Sequence, residues 1–516
     1  MVATAPGSTG IDTLPADFEE RVYAGVLGKL IGVYLGRPIE GWQWKRIEEV
    51  HGEVDHYLEP LRRGLVAPLV VTDDDVTGTF TFLRALEDEG YSRDLTAEQI
   101  GKNWLNYTIP LRTIFWWGGV GNSSEHTAYA RLAAGIPAPA SGSCEVNGKV
   151  ISEQIGAQIF IDGWAMVAPG DPQFAADLAE RAGSVSHDGE AVYGAQVIAA
   201  MEAQAFIESD MDKLLDTGLS VIPADSVIAQ VIHDVRSWNK EDGDWRKTRE
   251  RIGEEYGYDK WRGACHMVPN HALIIMALLY GEGDFTRSQM IINTAGWDTD
   301  CNAANVGCIL GIRGGLAALE QDYDWRGPVA DRMYLSTADG GRGITDALTE
   351  SYRIIKATYA LRGEAAEAPG GGAKFHFSQP GSTQGFQIAA DGGAGSLSNE
   401  QGGALRIQSS GNGAVRATTP TFVPTEAINM PGYQLFASPT LYPGQTVTAT
   451  VANAGDGVAT ATLVIGVYGA EDKVNIVNGP SEQIAPGGDV TLTWTMPTTG
   501  SNPINAIGLE VSGTVA

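Results

Sequence analysis

The chain has 516 residues, which is too many for one hydrophobic core, because single cores stop growing near ~250–300 residues. Hydrophobic residues make up 43% of it and charged residues 19%, a composition that excludes an intrinsically disordered protein. The formal net charge of -28 repels phosphate backbones, so we expect no nucleic-acid partner.

The cysteines and the N-terminus indicate the compartment. Cys144, Cys265, Cys301 and Cys308 are spaced like neither a disulfide framework nor a zinc ribbon. Residues 1–8 lack the basic and apolar regions of a secretory signal, and no apolar run reaches the ~18 residues of a membrane span. We therefore expect a soluble cytoplasmic protein with reduced thiols and no membrane partner. The composition leaves its oligomeric state open.

Helical periodicity dominates the first two thirds of the chain. Between residues 18 and 361, apolar side chains recur at intervals of three and four, as at Val22, Val26 and Leu30. A Gly, Ala and Pro-rich stretch at residues 363–372 then has the composition of a linker. We predict an all-α domain over residues 15–365.

The remaining third has the texture of short strands. Residues 446–451, 461–468 and 490–494 alternate or concentrate β-branched and apolar side chains between Pro-Gly and Gly-Asp-Gly turns. This pattern predicts an all-β sandwich or jelly-roll domain over residues 370–516.

An acidic cluster opens one predicted helix early in the chain. Thr72 precedes three consecutive carboxylates, Asp73 to Asp75, and apolar residues at Val76 and Phe80 follow at helical spacing. A cap explains one carboxylate, at ~1 kcal/mol, but adjacent carboxylates repel each other. No lysine or arginine flanks them, so a bound cation would relieve the repulsion.

A segment in the middle of the helical half combines aromatic faces with glycines. Trp116 and Trp117 offer rings for stacking on a base or sugar, and Gly119 lets a ligand approach the backbone. With Asn122 they are our candidates for substrate binding. The alternative is that both tryptophans belong to the core.

A second acidic cluster, Asp298 and Asp300, precedes a helix of small residues at 302–311. In an irregular turn both carboxylates can face one ion, and oxygen ligands select magnesium, calcium or manganese over zinc. For either cluster alone, helix capping beside a solvated loop is an alternative. Two such clusters in one helical domain favour a metal site.

Both acidic motifs, Thr72-Asp73-Asp74 and Asp298-Thr299-Asp300, resemble the paired metal-binding motifs of the ADP-ribosylglycohydrolase family. Residues 24–41 resemble the family's opening helix and the loop that carries its glutamate. The resemblance implies an all-α fold and two Mg2+ ions, with Mn2+ as the alternative metal. The implied metal ligands are Thr72, Asp73, Asp74, Asp298 and Asp300.

The same resemblance assigns catalytic and binding roles. Glu40 is the implied acid or base, and we take Asp74 as a second catalytic carboxylate. Residues 182–193 resemble the family's central histidine segment, so His187 is expected to line the pocket. A structural hydrogen-bonding role is the alternative for His187, and we expect Cys265 to serve packing.

The chain departs from the family pattern in places. Cys301 stands where threonine or serine is usual, and its sulfur is a softer, poorer ligand for magnesium. Asp75 stands where threonine is common, either adding charge beside the site or capping the helix. Val33 stands where aspartate is frequent, which removes a polar contact.

Several functions fit these motifs. The resemblance implies release of ADP-ribose from a modified protein or a small molecule. A glycosidase acting on a plain furanoside or carbohydrate is an alternative, and residues 403–422 resemble β-sandwich domains attached to carbohydrate-active enzymes. That domain is either carbohydrate-binding or structural. A non-catalytic ligand-binding or structural protein is the last possibility.

Overall fold

A computed structural model describes residues 11–59, 61–62, 65–66, 68–320, 322–411 and 413–513. Residues 1–8, from which the absence of a signal was inferred, lie outside this range. The chain divides into two compact units. The first extends to Val329 and includes Ser336–Ala338 and Glu350–Ala366, and the second comprises Ala330–Leu335, Asp339–Thr349 and the chain from Glu367 onward.

The first unit is helical, which confirms the predicted fold class. The strands β1 (Leu61–Arg62) and β2 (Leu65–Val66) pair antiparallel within it. Its helices, the last of which begins in the second unit, are α1 (Phe18–Gly36), α2 (Trp44–His51), α3 (Asp74–Phe82), α4 (Arg84–Asp88), α5 (Ala97–Tyr107), α6 (Ser124–Ala133), α7 (Cys144–Asn147), α8 (Lys149–Ser152), α9 (Gly156–Ile159), α10 (Asp162–Met166), α11 (Pro172–Gly183), α12 (Glu190–Ala205), α13 (Met211–Ser220), α14 (Val227–Asp242), α15 (Trp245–Tyr256), α16 (Met267–Tyr280), α17 (Phe285–Thr294), α18 (Thr299–Gly314) and α19 (Ala347–Leu361).

Helices α1 and α18 form the centre of this unit, and both are buried over nearly their whole length. Their backbones touch where glycines face each other. A Cβ added to Gly28 would overlap the carbonyl oxygen of Gly307, and one added to Gly32 would overlap that of Ala303. Packed helix axes usually lie about 8–10 Å apart, depending on the side chains at the contact. The small residues here let the two backbones approach more closely than larger side chains would allow.

The contact continues to the C-terminal end of α1. A Cβ on Gly36 would lie 2.5 Å from the backbone nitrogen of Asp300. The Thr299 hydroxyl donates a hydrogen bond of 2.7 Å to the carbonyl of Gly36. The first turn of α18 is thus fixed against the end of α1, beside the loop that carries Glu40.

The second unit is built of antiparallel sheets, as the sequence predicts. Its strands are β3 (Arg332–Tyr334), β4 (Ile344–Asp346), β5 (Gln387–Ile388), β6 (Gly395–Ser398), β7 (Arg406–Ser409), β8 (Val415–Pro420), β9 (Thr446–Ala452), β10 (Ala459–Tyr468), β11 (Val474–Ile484), β12 (Asp489–Thr495) and β13 (Ile504–Gly513). The largest sheet has the order β11-β10-β13-β8-β5, and β9 pairs with β12 in a separate ladder.

The β9–β12 ladder packs face to face with the larger sheet. Val447 and Trp494 of the ladder pack against buried residues of the large sheet such as Ile465 and Ile507. Trp494 is therefore partly buried against the core, whereas Tyr442 is 47% exposed. Alternating exposure along β9 shows why the period-two pattern was visible in the sequence.

Within the described residues, no helix combines the length and the apolar character needed to span a bilayer.

We expect Gly32→Ala to destabilise the first unit. The added methyl meets backbone rather than a mobile side chain, so α1 and α18 must separate. Overpacking of this kind typically costs ~1–3 kcal/mol. Urea unfolding followed by circular dichroism measures the change.

Gly253→Ala in α15 is the matched control. Its nearest neighbour beyond the helix backbone is the end of the Arg249 side chain at 3.4 Å, so the methyl has room. Replacing a helical glycine by alanine there should stabilise by ~0.5–1 kcal/mol. Equal stability of Gly32→Ala and wild type would contradict the importance assigned to the α1–α18 contact.

Candidate metal centre and active site

The two acidic motifs, distant in sequence, meet at one place in the helical unit. Glu40, Asp298 and Asp300 each offer a ligand atom within 4.8 Å of the others. Asp73, Asp74 and Asp75 form a second such group, and Asp75 with Asp300 and Cys301 forms a third. Asp75 and Asp300 thus connect the start of α3 with the start of α18.

The predicted helix start after Thr72 is present, and Asp73 is its cap. The Asp73 carboxylate accepts a hydrogen bond of 3.0 Å from the backbone N–H of Asp75. Its other oxygen forms an ion pair of 2.9 Å with Nε of Arg37. Asp75 itself therefore does not cap the helix, and Arg37 supplies a positive charge that the local sequence around the motif did not reveal.

The Glu40 loop is held against the second motif by backbone hydrogen bonds. The N–H of Gly41 donates to the carbonyl of Trp297 at 2.7 Å, and the N–H of Trp297 donates to that of Trp42 at 2.8 Å. Trp297 adopts a left-handed φ of 66°, which is strained for a large side chain. The Arg249 guanidinium lies 3.8 Å from its ring centroid and stabilises this conformation.

The second motif is more helical than the irregular turn that we expected. Asp298 precedes α18 with non-helical angles of -87° and 75°, whereas Asp300 lies in its first turn. This difference in backbone conformation lets both carboxylates approach Glu40, although they are two residues apart. Asp298 and Asp300 are buried and Glu40 is exposed.

Burial and mutual repulsion make the carboxylates hard to ionise without a cation. Desolvation and the charge of Glu40 raise the pKa of Asp298 from 3.8 to about 7. Desolvation and neighbouring carboxylates also hold the pKa values of Asp74, Asp75 and Asp300 well above the usual range.

Two buried oxygens mark where a cation fits. Among the described residues, Oδ2 of Asp298 and Oδ1 of Asp75 have no hydrogen-bond partner. Buried carboxylate oxygens without a donor are costly, and a divalent cation is the ligand that satisfies several of them together. The donors are mostly carboxylates, so this set fits a hard divalent cation such as Mg2+.

The family model for ADP-ribosylglycohydrolase matches residues 14–363, which includes both acidic motifs and the Glu40 loop. The chain belongs to the ADP-ribosylglycohydrolase family. An uncharacterised protein of Archaeoglobus fulgidus is 25% identical over 319 residues, covering 61% of this chain and 94% of its own length. A solved structure of an ADP-ribosylglycohydrolase-related protein complex is 17% identical with a TM-score of 0.42, covering 67% of this chain and 99% of that one.

The tryptophans, Gly119 and Asn122, which the sequence suggests for substrate binding, lie on the loop before α6. Trp116 and Trp117 are half-buried rather than core residues, and Asn122 is exposed. The Trp116 ring stacks on His126 with centroids 4.5 Å apart, which fixes its orientation. Gly119 has a positive φ of 84° and open space at its Cα, so a ligand can approach the backbone there.

His187 lies beside Glu125, near the acidic centre. Nδ1 of His187 lies 2.7 Å from the Ser186 hydroxyl, and its Nε2 lies 3.6 Å from Glu125. Burial lowers the pKa of His187 to about 3, so the imidazole is neutral. Glu125 in turn is one of the charges that raise the pKa of Asp74.

Sequence reasoning missed some of the residues that surround the carboxylates. Glu125 is the fourth residue after Gly121 and lies in the first turn of α6, whose N-cap is Ser123. Asn270 accepts from the Asp298 N–H at 3.3 Å. Cys265, expected to serve packing, is half-buried, and desolvation together with the charges of Asp298, Glu125 and Asp74 raises its pKa. No local motif marks these positions.

Without divalent cations, the free energy of unfolding should fall as pH rises from about 4 to about 7. A carboxyl whose pKa rises on folding binds more protons in the folded state, so each increase in pH within this window removes stability. The pKa of Asp298 is raised from 3.8 to about 7. The loss should amount to a few kcal/mol, at ~1.4 kcal/mol per pKa unit. Urea unfolding in chelator measures it.

Excess Mg2+ should flatten this pH dependence, because the cation replaces the protons. Asp298→Asn should also flatten it in chelator, whereas Asp55→Asn, at an exposed position, should leave it unchanged. An Asp298→Asn protein with the full wild-type slope would contradict this account of the acidic centre.

Proposed function

We propose that this chain is a divalent-metal-dependent glycohydrolase that cleaves a glycosidic bond at the anomeric carbon of a ribose-like sugar, with ADP-ribose conjugates as its substrate class. The observation that carries the proposal is the convergence of Glu40, Asp298 and Asp300 within 4.8 Å. Exposed Glu40 is available for proton transfer, whereas buried Asp298 and Asp300 are available for binding a cation. Membership of the ADP-ribosylglycohydrolase family supports a glycosyl-hydrolase activity.

Residues of the two acidic motifs are assigned to the cations. Two Mg2+ ions, or Mn2+ ions, would be held by oxygen ligands of the two motifs. These ligands are Thr72, Asp73, Asp74, Asp298 and Asp300. When bound, the cations supply Lewis acidity that orients sugar hydroxyls and polarises the attacking water.

Glu40 is assigned the proton transfer. Its side chain is exposed, so a substrate can reach it, and the backbone bonds between its loop and Trp297 keep it beside Asp298. Proton transfer by a positioned side chain contributes ~10²–10⁴ to the rate. Half-buried Asp74 is the second catalytic carboxylate, stabilising the positive charge that develops on the ring in an oxocarbenium-like transition state.

The loop before α6 is assigned to the rest of the substrate. Trp116 and Trp117 present partly exposed rings on which an adenine or sugar ring can stack. Exposed Asn122 and the open backbone at Gly119 add polar contacts. His187 is neutral and buried, and its Nε2 lies 3.6 Å from Glu125, so we place it in the wall of the substrate pocket, next to Glu125.

A furanoside without a diphosphate is the second candidate substrate, and the electrostatics favour it. Arg37 is paired with Asp73 at 2.9 Å and Lys29 with Asp162 at 2.6 Å. These cations neighbour the carboxylates but are already committed to protein partners, whereas a diphosphate is usually bound by cationic side chains or helix N-termini.

Glu40→Gln should lower kcat by ~10²–10⁴ while leaving cation affinity nearly unchanged. The amide keeps the size of the side chain but neither donates nor accepts the catalytic proton. Steady-state hydrolysis gives kcat, and calorimetric titration with Mg2+ gives the affinity.

Glu49→Gln on α2 is the matched control, since Glu49 is 70% exposed and pairs with Arg46 on the surface. It should retain wild-type kcat. Wild-type turnover by Glu40→Gln would remove Glu40 from the mechanism.

Hydrolysis of a substrate panel tests the reaction itself. The panel contains ADP-ribosyl-arginine, ADP-ribosyl-serine, ADP-ribose 1″-phosphate and aryl furanosides, each with Mg2+ and with chelator. We expect Mg2+-dependent release of ADP-ribose from one conjugate class. Turnover of furanosides alone would support the second candidate, and silence on every substrate would contradict the proposed activity.

A further inference from the structure

Asp75 and Cys301, each of which directly follows one of the two acidic motifs, meet in the buried part of the centre. Sγ of Cys301 lies 3.5 Å from Oδ2 of Asp75. Asp75 is 1% exposed and Cys301 is 7% exposed. Together with Asp300 they offer donor atoms that all lie within 4.8 Å of one another.

Asp75 neither caps a helix nor forms the nearby ion pairs. Asp73, not Asp75, caps α3, and Asp73 also takes the ion pair with Arg37. The positive charge of Lys29 acts to lower the pKa of Asp75, but Lys29 forms its ion pair with Asp162, at 2.6 Å. Oδ1 of Asp75 has no hydrogen-bond partner among the described residues and is fully buried. A buried carboxylate oxygen without a hydrogen-bond donor points to a bound ligand that interacts with it.

A thiol beside this carboxylate changes the kind of cation that fits. Sulfur is a soft donor that binds zinc and related transition metals, whereas magnesium and calcium prefer oxygen alone. The thiol to carboxylate contact of 3.5 Å is a weak hydrogen bond and repays little of the cost of burying Asp75.

We propose that Asp75, Asp300 and the Cys301 thiolate are ligands of a transition-metal dication, of the Zn2+ or Co2+ class, at one position of the centre. This inference rests on the metal centre of the proposed function and assigns its metal class. On binding, the Sγ–H bond of Cys301 breaks, its proton passes to solvent and the sulfur lone pair forms the bond to the cation. The two carboxylates and the thiolate supply three negative charges, more than a dication carries, and the sulfur selects a softer dication than oxygen ligands alone would.

The test measures cation binding to the full chain without any substrate. Titration of the metal-free protein with Co2+ should produce a thiolate-to-metal charge-transfer band, and calorimetry should show tighter binding of Zn2+ than of Mg2+. Cys301→Ser should abolish the band and lower Zn2+ affinity at least ~10-fold, with a smaller effect on Mg2+. Asp75→Asn should lower Zn2+ affinity by ~10–100-fold.

Other cysteines provide the controls. Cys144→Ser, in α7 and outside the cluster, should retain the band and the Zn2+ affinity. Loss of the band in Cys265→Ser but not in Cys301→Ser would overturn the proposal, as would equal binding of Zn2+ and Mg2+ by wild type. Thermal unfolding in chelator checks folding, and Asp75→Asn should unfold at or above the wild-type temperature because a buried carboxyl is removed.

Failure of this proposal is distinguishable from failure of the proposed function. A chain that binds Co2+ through Cys301 but hydrolyses no substrate retains the metal assignment and loses the activity. A chain that hydrolyses ADP-ribose conjugates with Mg2+ but shows no cobalt–thiolate band retains the activity and loses the metal assignment.

Discussion

The backbone contact between α1 and α18 is the constraint on which the candidate active site depends. Gly28 and Gly32 face Gly307 and Ala303 so closely that no side chain fits between the helices. At the end of this contact, the first turn of α18 is fixed against the end of α1, and α18 carries one acidic motif while α1 leads into the Glu40 loop. Small changes in helix separation would therefore be transmitted directly to the distances between the carboxylates.

A buried polar layer supports the acidic centre from the side of the core. Lys29 on α1 donates to the Asp162 carboxylate at 2.6 Å and to the Ile159 carbonyl at 2.9 Å, and Asn305 on α18 donates to Asp162 at 2.7 Å. Burial by itself would lower the pKa of Lys29, but the Asp162 carboxylate raises it, so the ammonium stays charged. This layer fixes the same two helices by directional bonds and places one positive charge near Asp75.

Burial divides the carboxylates into two groups with different chemistry. Asp75, Asp298 and Asp300 are buried, their pKa values are raised, and they require a cation or protons to remain in place. Glu40 is exposed and held by backbone hydrogen bonds of its own loop, so it can meet a substrate. The proposed function needs both kinds of carboxylate, and the depth of each side chain in the fold separates the two kinds.

The sequence by itself determined the all-α and all-β halves, since hydrophobic periodicity is local, and it located the two acidic motifs at helix starts, since capping depends on adjacent residues. It also marked Glu40 through the family resemblance. Only the tertiary structure decided that Asp73 caps α3 and pairs with Arg37, and that Asp75 lies against Cys301. It also decided which charges surround Asp74, among them Glu125. These contacts join residues far apart in the chain, and no local pattern encodes which distant backbone will approach a given side chain.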